Sequence, residues 1–360
     1  MEFTLNLPIN SLSFGQSSIA ILRELYTREV APPIFPIGNP DLSAQNQEPE
    51  FFRWIDLNVR KGPSLHRRKN QAIKLWHLSG GMDSVSRDQI LISFYELDNP
   101  TKEELNIAAN QKALILTSKY AVSIFKQFGL ENVHYVPLAF DKANFFETNK
   151  EYFTDGRITF NVVGKYERRK HHKKIVTSWI KRFGGNKDYS LQCAIFNTFM
   201  NPDQQKAEFS QMLGSKDPGN VLFLGFMPQN SLYNDFLNSA DIIVGMSGGE
   251  GFGLPEFTSL CLGKHGIILD AHVYKDWANE TNSVMVKPSG KIEAYDNIFF
   301  HKGAPFNQGS IFDWNEDEFI AACEKAIERV KAKRRNDAGT ELKRTFTYTS
   351  TVDSILKLLE

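Results

Sequence analysis

The sequence predicts an α/β protein in which two parallel-sheet domains face each other across a cleft. Short apolar runs alternate with amphipathic segments along most of the 360 residues, which is the pattern of strands connected by helices. A chain of this length also exceeds what one hydrophobic core usually organises. The pattern lapses into a polar stretch at residues 141–156 and then starts again. We therefore place a domain boundary there.

Strands and helices alternate in the first half. The predicted strands are residues 2–7, 73–78, 89–95, 113–117 and 133–138. The predicted helices are residues 19–30, a helix that begins after Pro100, and residues 119–128. Thr101 and Glu104 have the spacing of a capping box, which predicts the start of the second helix. Residues 32–74 contain several Pro and Gly without a clear period, and we expect this stretch to be irregular.

The second half repeats this scheme. Its predicted strands are Ile158–Val163 and residues 190–196, 221–226 and 241–246. Its predicted helices are His172–Phe183, Pro202–Leu213, a short helix near residues 232–237, a helix with an apolar stripe over residues 319–330, and a final helix at residues 351–359. Strands separated by one helix run parallel, and ligands bind beyond the carboxyl ends of such strands.

Composition excludes several classes of protein. The 42 Lys and Arg balance the 42 Asp and Glu, which argues against a wholly basic nucleic-acid binder. No apolar stretch approaches the roughly 20 residues of a membrane helix, and the start MEFTLNLPIN lacks the features of a signal peptide. We therefore expect a cytoplasmic protein. Cys193, Cys261 and Cys323 have no motif spacing and are expected to be buried free thiols.

A glycine-rich loop with one acid follows the apolar run DIIVGM. In SGGEGFGLP, the glycines leave backbone amides uncovered, and Pro255 suits the first turn of a helix. The start of a helix favours an anion, most simply a phosphate. Glu250 would repel a phosphate in contact with it, so it is better suited to accept hydrogen bonds from neutral hydroxyls. A sugar phosphate satisfies both requirements; the alternative is a glycine turn with an exposed acid.

Two lysines follow the first strand of the second half, in VVGKYERRK. Lys165 comes directly after Gly164, and Lys170 lies five positions later, near the start of a helix. At the carboxyl edge of a strand, both cations can reach one diphosphate and neutralise the charge that grows on a leaving group. The alternative is a solvated basic surface.

In order and spacing, these motifs resemble the retaining GT-B glycosyltransferases of family 4. VVGKYERRK is similar to the diphosphate motif of that family, and EGFGLPEFTSLCLGK is similar to its Glu-Gly-Phe-Gly-Leu-Pro motif. LILTSKYAVSIFKQFGLENVHYVPLAFD resembles the segment that closes the N-terminal domain, and TFTYTSTVDSILKLLE resembles the returning C-terminal helix. The resemblance implies two Rossmann-like domains facing a cleft: 1–150 on the acceptor side, 151–340 for the donor, and 341–360 as the returning helix.

The resemblance also implies roles for individual residues. Lys165 and Lys170 would hold the donor diphosphate, and Glu250 would bind the hydroxyls of the donor sugar. Further donor-binding residues would be Gly15 in an N-terminal glycine loop, Gly164, Gly251, Phe252, Gly253, Leu254 and Thr258. The reaction implied is transfer of a glycosyl group from a UDP- or GDP-sugar to a hydroxyl, with retention of configuration and without a metal or other cofactor.

Two departures from the family pattern concern the nucleotide and the acceptor. The family has a second Glu eight positions after the first, where this chain has Thr258, with Glu256 as the nearest acid. Thr258 can bond a ribose hydroxyl but carries no charge. Many members carry a His after the strand that matches ILISFYELD; this chain has Tyr95 and Glu96 there. Glu96 is therefore the expected acceptor-side polar group, with Tyr95 beside it and His77 facing the same cleft. The alternatives are structural roles for Glu96 and His77.

A basic segment in the first half suggests an anionic acceptor. It contains Arg53, Arg60, Lys61, Arg67, Arg68, Lys69 and Lys74 against a single acid, Asp56. Duplex DNA with hydroxymethylated bases, as for the phage DNA glycosyltransferases, or a phosphorylated glycan or lipid would fit such a patch. We take Arg67, Arg68 and Lys69 as its contact residues; the alternative is a solvated loop. The rival from a different class is a sugar-nucleotide binding protein without turnover, which the missing second Glu favours.

Overall fold

The computed structural model describes residues 2–152, 156–215 and 217–360. Each half contains a six-stranded parallel sheet. The strands of the first sheet are β1 Phe3–Pro8, β2 Ile34–Ile37, β3 Gln71–Leu75, β4 Gln89–Ser93, β5 Ala113–Leu116 and β6 Val133–Tyr135. Those of the second are β7 Ile158–Val163, β8 Tyr189–Ala194, β9 Val221–Phe223, β10 Ile242–Gly245, β11 His265–Leu269 and β12 Ser283–Val286. The prediction of an α/β protein with two parallel-sheet domains is confirmed.

Helices cover these sheets. In the first half they are α1 Ser13–Thr27, α2 Pro49–Leu65, α3 Lys102–Ala109 and α4 Lys119–Gln127. They continue as α5 His172–Phe183, α6 Pro202–Leu213, α7 Asn230–Asn238, α8 Leu254–Cys261, α9 Tyr274–Trp277, α10 Glu316–Ala332, α11 Asp337–Thr340, α12 Leu342–Thr345 and α13 Tyr348–Lys357. In the described parts of the chain, no helix combines the length and apolar character that crossing a membrane requires.

The order of strands gives each sheet a topological switch point near its middle. The first sheet runs β2-β1-β3-β4-β5-β6 and the second β12-β11-β10-β7-β8-β9. The direction of connection therefore reverses beside β1 in the first sheet and beside β7 in the second. Ligands of open parallel sheets bind at such switch points, beyond the carboxyl ends of the strands. The loops that follow β1, β3, β7 and β10 are accordingly the ones placed for function.

Several helices begin and end as the sequence predicts, and one stretch does not. The bounds of α5 and α6 are those expected, and the Thr101–Glu104 capping box is present at the start of α3. The expectation of an irregular stretch at residues 32–74 is wrong, because it contains β2 and the 17-residue helix α2. Gly62 and Pro63 near the end of α2 hide its period, and burial of Phe51 and Ile55 against the first core stabilises it nonetheless.

The last helix packs on the first half of the molecule. Val352, Ile355 and Leu359 belong to the same hydrophobic core as strands β1, β3 and β4. Arg28, directly after α1, adds an ion pair with Asp353 at 2.6 Å. The chain thus crosses from the second half back to the first after α12. The domain limits remain a prediction, and residues 153–155 of the expected boundary lie outside the described residues.

A hairpin also crosses between the halves. Strands β13 Pro288–Glu293 and β14 Ser310–Trp314 pair antiparallel. Asp98, after β4, accepts hydrogen bonds from the Ser310 backbone amide and from the Lys291 ammonium, both at 2.7 Å. The Asn307 amide donates to Glu104 at 2.9 Å. We call residues 288–314 the strap, since they tie the second half to the loop after β4 and to α3.

Candidate functional site

Two loops of the second half meet at its switch point. One follows β7 and contains Gly164 and Lys165 before a 3₁₀ turn, Arg168–Lys170. The other follows β10 and runs through the glycine-rich residues 246–253 to α8. Because β7 and β10 are neighbours in the sheet, the two motifs separated by about 80 positions in the sequence come together.

The missing side chain of Gly164 makes room for Lys170. Gly164 has φ +120°, and a Cβ built on it would lie 2.9 Å from the Lys170 Cδ and 3.1 Å from its Nζ. Any larger residue would both strain the backbone and block this path. Lys170 therefore runs across the end of β7, and its side chain is only 10% exposed.

Glu250 is buried between two cations. Its Oε1 lies 2.5 Å from the Lys170 Nζ and 2.9 Å from a guanidinium nitrogen of Arg169. Burial by itself would raise the pKa of Glu250, but the two cations outweigh it and hold the pKa at about 2. The expected alternative of an exposed acid on a glycine turn does not apply, since Glu250 is 7% exposed. The residue is thus a fixed anion at the base of the loop.

Neither Arg169 nor Glu167 was among the predicted site residues. The Arg169 guanidinium contacts Glu167 at 2.6 Å and also bonds the Gly249 carbonyl. The 3₁₀ turn directs Arg169 and Lys170 inward and leaves Arg168 exposed. The sequence ERRK shows that these side chains are charged but not which way each of them points. Only the geometry of the turn shows which arginine is buried and which is exposed.

Glu96 reaches the same network from the first half of the molecule. It follows β4, and its Oε1 lies 3.1 Å from the Arg169 guanidinium. Burial raises the pKa of Glu96 to about 7 although Arg169 opposes the shift, and the negative charges of Glu250 and Glu167 act in the same direction as burial. A carboxyl group that titrates near neutral pH, next to Glu250, can exchange a proton with a bound hydroxyl.

The first half also packs closely on the glycine-rich loop. A Cβ built on Gly251 would lie 2.5 Å from the Phe94 Cβ, so only glycine allows this approach. The Thr117 hydroxyl donates to the Gly251 carbonyl at 2.7 Å. The two halves are therefore in contact across the candidate site.

The start of α8 presents backbone amides. Among the hydrogen bonds between described residues, none is donated by the amides of residues 250–253. Gly253 caps the helix in a left-handed conformation, and Phe252 anchors the loop through its buried ring and through its carbonyl, which accepts from the Trp277 indole at 3.0 Å. Leu254 is half-buried at the first helical position. Free amides at a helix start form an anion site.

Glu256 and Thr258 are both buried on α8, 3% and 6% exposed. Burial raises the pKa of Glu256 to about 7, although Lys170 opposes the shift. The Tyr274 hydroxyl interacts with this carboxyl group and also opposes the shift. Glu256 lies beneath the loop, where its side chain contacts Gly245 and Gly253.

Lys165 is less buried than Lys170. Its side chain is 36% exposed, and its ammonium lies 3.5 Å from Glu167 and 3.5 Å from the centre of the Phe299 ring on the strap. Phe199, at 5.6 Å, faces the same ammonium. Lys165 is therefore a cation at the edge of the site, and its long side chain can move toward a ligand.

His77, Tyr95 and Gly15 are further predicted site residues, and their surroundings differ from one another. His77 is exposed after β3, 4.3 Å from the Phe14 ring, and desolvation together with the nearby Lys165 lowers its pKa. Tyr95 does not face the cleft; it is 4% exposed and packs on Phe125. The expected glycine loop at Gly15 is wrong in conformation, because Gly15 lies in the first turn of α1, where Asn10 packs against it.

The basic contact residues Arg67, Arg68 and Lys69 lie away from the candidate site. They precede β3, and the Arg68 carbonyl accepts from the Arg87 amide just before β4. His66 contacts Thr4 at the start of β1. These contacts place the three residues at the amino edge of the first sheet, whereas the cleft lies at its carboxyl edge. Of the same segment, Lys74 is 4% exposed and bonds the Gly80 and Asp83 carbonyls.

Across residues 2–152, 156–215 and 217–360, no three His, Cys, Asp or Glu side chains are grouped to hold a metal ion. The positive charge of the candidate site comes from Lys165, Lys170 and Arg169, and the amides before α8 lie beside them.

Comparison with known proteins establishes the fold. No protein-family model and no curated protein matches the sequence. Solved structures with the same architecture include a sucrose-phosphate synthase from Thermosynechococcus elongatus, with a TM-score of 0.69 and 12% identity over 99% of this chain and 98% of that chain. Anabaena HepE in complex with UDP and glucose gives a TM-score of 0.67 and 12% identity over 100% and 99% of the chains.

WaaG, a glycosyltransferase involved in lipopolysaccharide biosynthesis, gives a TM-score of 0.64 and 9% identity over 99% of both chains. These likenesses extend over whole chains, and the fold is GT-B, with two Rossmann-like domains. The expectation of this fold is confirmed. Membership of family 4 and kinship with phage enzymes stay predictions.

Proposed function

We propose that the protein is a retaining glycosyltransferase that moves a sugar from a nucleotide diphosphate sugar to an acceptor hydroxyl. The observation that carries this proposal is the arrangement around Glu250. An ionised carboxylate, two buried cations and the unpartnered amides before α8 converge at the switch point of a GT-B fold. Few ligands other than a sugar joined to a phosphate need both hydroxyl acceptors and anion donors so close together.

Each group has a defined task in this reaction. Glu250 accepts hydrogen bonds from hydroxyls of the donor sugar. Lys165, Lys170 and the amides of residues 252–254 stabilise the diphosphate as it departs, because preorganised positive charge is most effective where negative charge develops. This set supplies positive charge from the protein itself, which supports a reaction without a metal. Glu96 lies on the opposite wall and binds the acceptor hydroxyl.

Donor binding must redistribute an existing network. Lys170 is bonded to Glu250 and Lys165 lies near Glu167, so a diphosphate has to share cations with carboxylates. Lys165 is the more mobile of the two because its side chain is the more exposed. We infer that Lys165 turns from Phe299 toward the diphosphate, while Lys170 stays with Glu250 and contacts the phosphate nearer the sugar.

A UDP-sugar is the first donor to test. HepE has been solved with UDP-glucose, and its architecture extends over the whole of this chain. Thr258 takes the place of the second Glu and offers a neutral hydroxyl to the ribose, and a GDP-sugar is the other expected donor.

The acceptor is proposed to enter at the carboxyl edge of the first sheet, beside Glu96 and His77. Hydroxymethylated DNA is the weaker candidate, because Arg67, Arg68 and Lys69 lie at the other edge; a glycan or lipid acceptor requires no contact with them. A cytoplasmic location is supported by Cys193, Cys261 and Cys323, which are all buried and unpaired.

Thermal stabilisation by a panel of nucleotide sugars tests the proposal, since a ligand that binds only the folded state raises its stability. A stabilising donor is then supplied in labelled form with hydroxymethylated DNA, unmodified DNA and glycan extracts, and the anomeric configuration of the product is read by NMR. Transfer with retention supports the proposal. Donor binding without hydrolysis or transfer would indicate a sugar-nucleotide binding protein, and the absence of any donor binding contradicts both.

A further inference from the structure

The guanidinium of Arg169 joins the two walls of the candidate site. It belongs to the second half, where one nitrogen lies 2.9 Å from Glu250. Its other terminal nitrogen lies 3.1 Å from Glu96, which follows β4 of the first half. One planar side chain thus spans the carboxylate proposed for the donor and the carboxylate proposed for the acceptor.

Several contacts fix Arg169 in this position. Its own carbonyl accepts from the Gly248 amide at 2.8 Å, and its guanidinium bonds the Gly249 carbonyl. Glu167 also contacts the guanidinium, at 2.6 Å. The side chain is 6% exposed. A guanidinium offers five donors in a rigid fork, whereas a lysine ammonium in the same place could not serve so many acceptors with fixed geometry.

The charges around Arg169 make its role specific. Glu96, Glu167 and Glu250 face it directly, and Lys170 is the second cation. The further titratable groups are Tyr274, Glu256, His172 and His272. Arg169 lowers the pKa of both Glu96 and Glu250. Without it, three carboxylates would share the positive charge of Lys170 and of the partly exposed Lys165.

We propose that Arg169 is a positioning residue that aligns Glu250 with Glu96, so that the donor sugar and the acceptor hydroxyl are held against each other when the two halves are in contact. This inference rests on the proposed function. Arg169 acts through the two carboxylates and is not assigned a contact with the diphosphate. Because reaction rates fall steeply when reacting groups are displaced by about 1 Å, loss of this alignment affects turnover more than donor binding.

The contact itself can be tested without a substrate. Glutamate labelled with ¹³C at the carboxyl carbon is incorporated, and Glu250 and Glu96 are assigned from Glu250→Gln and Glu96→Gln and titrated by NMR. Arg169→Met should raise the titration midpoint of Glu250 by about one pH unit or more, because a cation at hydrogen-bond distance is lost. Arg168→Met, which removes the neighbouring exposed arginine, should leave it unchanged. An unchanged Glu250 midpoint in Arg169→Met overturns the inference whichever substrate the protein uses.

Kinetics with the stabilising donor then test the alignment. Arg169→Met should lower kcat by about 10- to 100-fold while donor affinity, measured by calorimetry, stays within about threefold. In Arg169→Met, the acid limb of the pH–rate profile should move to higher pH. Arg169→Lys should bring this limb back toward its wild-type position but recover less of kcat, because lysine restores the charge and not the forked geometry of the guanidinium. If Arg169→Met does not fold, the double variant Arg169→Met/Glu167→Gln is tested in its place. The second substitution removes one of the carboxylates that the loss of Arg169 leaves unpaired.

The two proposals fail differently. A wild-type protein that turns over normally, with Arg169→Met kinetically equal to Arg168→Met, overturns the positioning role and leaves the proposed function intact. A wild-type protein that binds no nucleotide sugar overturns the proposed function, and the carboxyl titration still decides whether Arg169 controls Glu250.

Discussion

At the scale of single residues, the site depends on how two buried cations are divided among four carboxylates. Glu250 receives both Arg169 and Lys170 and is ionised, with a pKa of about 2. Glu96 and Glu256 receive less positive charge, and their pKa values rise to about 7. Desolvation raises the pKa of all three, so the position of the cations separates the fixed anion from the groups that titrate near neutrality.

Replacing Glu250 by Gln should remove the sugar contact without changing the shape of the loop. We expect kcat/KM to fall by an amount equivalent to about 2 to 4 kcal/mol of transition-state stabilisation, as when one preorganised contact to a reacting group is lost. Steady-state kinetics with the donor found by thermal stabilisation measure this. Glu324→Gln, at an exposed ion pair with Arg182, is the matched control. Near-normal turnover by Glu250→Gln would contradict the assignment.

Glu256 should make the stability of the protein depend on pH. Its pKa is raised from 4.5 to about 7 in the folded state, so the folded state holds a proton that the unfolded state has released between these values. Stability should therefore fall as the pH rises from about 4.5 to about 7. Denaturant unfolding of Glu256→Gln should show a shallower slope in this window and a higher stability than wild type at pH 8. An identical slope in both proteins would contradict the pKa of Glu256.

At the scale of elements, the strap is a connection between the two halves that no sequence pattern predicted. Its two strands lie in the second half, but Ser310 at the start of β14 is bonded to Asp98 and Asn307 in the loop is bonded to Glu104, both of the first half. It also places Phe299 on the ammonium of Lys165. The contact between the halves and the position of Lys165, which is proposed to bind the diphosphate, are thus linked through the strap.

Removing the carboxylate of Asp98 should loosen the strap. Asp98→Ala loses the bonds from the Ser310 amide and from Lys291, and each bond to a charged group contributes roughly 1.5 to 3 kcal/mol. Hydrogen exchange of residues 293–310 should accelerate by about tenfold or more. Lys302→Ala, which breaks an exposed pair with Glu293 inside the strap, should not have this effect. Equal acceleration in both variants would show that the contact with the first half does not hold the strap.

At the scale of the whole molecule, helix α13 of the last segment packs against the first half. This helix, which follows both sheets, packs on the core formed by β1, β3 and β4. The first half is therefore completed by residues from the end of the chain. In the crossing segment, the Phe346 ring packs on Phe252 of the glycine-rich loop and the Phe346 carbonyl accepts from the Phe140 amide, so the return of the chain and the candidate site are physically connected.

Truncating Ile355 should therefore destabilise the first half. Ile355 is 3% exposed in that core, and replacing a buried Ile by Ala costs about 2 to 5 kcal/mol. Hydrogen exchange should show lost protection in β1 and β3 and much smaller changes in β10 and β11. Ser354→Ala, on the exposed side of the same helix, is the control. Loss of protection confined to the second sheet would contradict this account.

Much of the fold could be predicted because its signals are local. Helix α6 is bounded by Asn201, Pro202 and Gly214, and α3 by its capping box; these signals act over a few residues. Helix α2 was missed because its stability comes from burial of Phe51 and Ile55 on a core built from distant strands. The strap was missed for a similar reason, since its partners Asp98 and Glu104 are about 200 positions away.

By itself, the sequence determined the α/β architecture and the two loops of the site, since the glycines and the periodic apolar residues act on their own neighbours. Only the tertiary structure decided which charges meet. It turned Arg169 inward and Arg168 outward, directed Tyr95 into the core, and placed Arg67, Arg68 and Lys69 at the sheet edge opposite the cleft. The physical reason is that the interaction of two charges depends on the distance between them and on how deeply they are buried. Both are set when separate strands are brought side by side, and neither can be read from spacing along the chain.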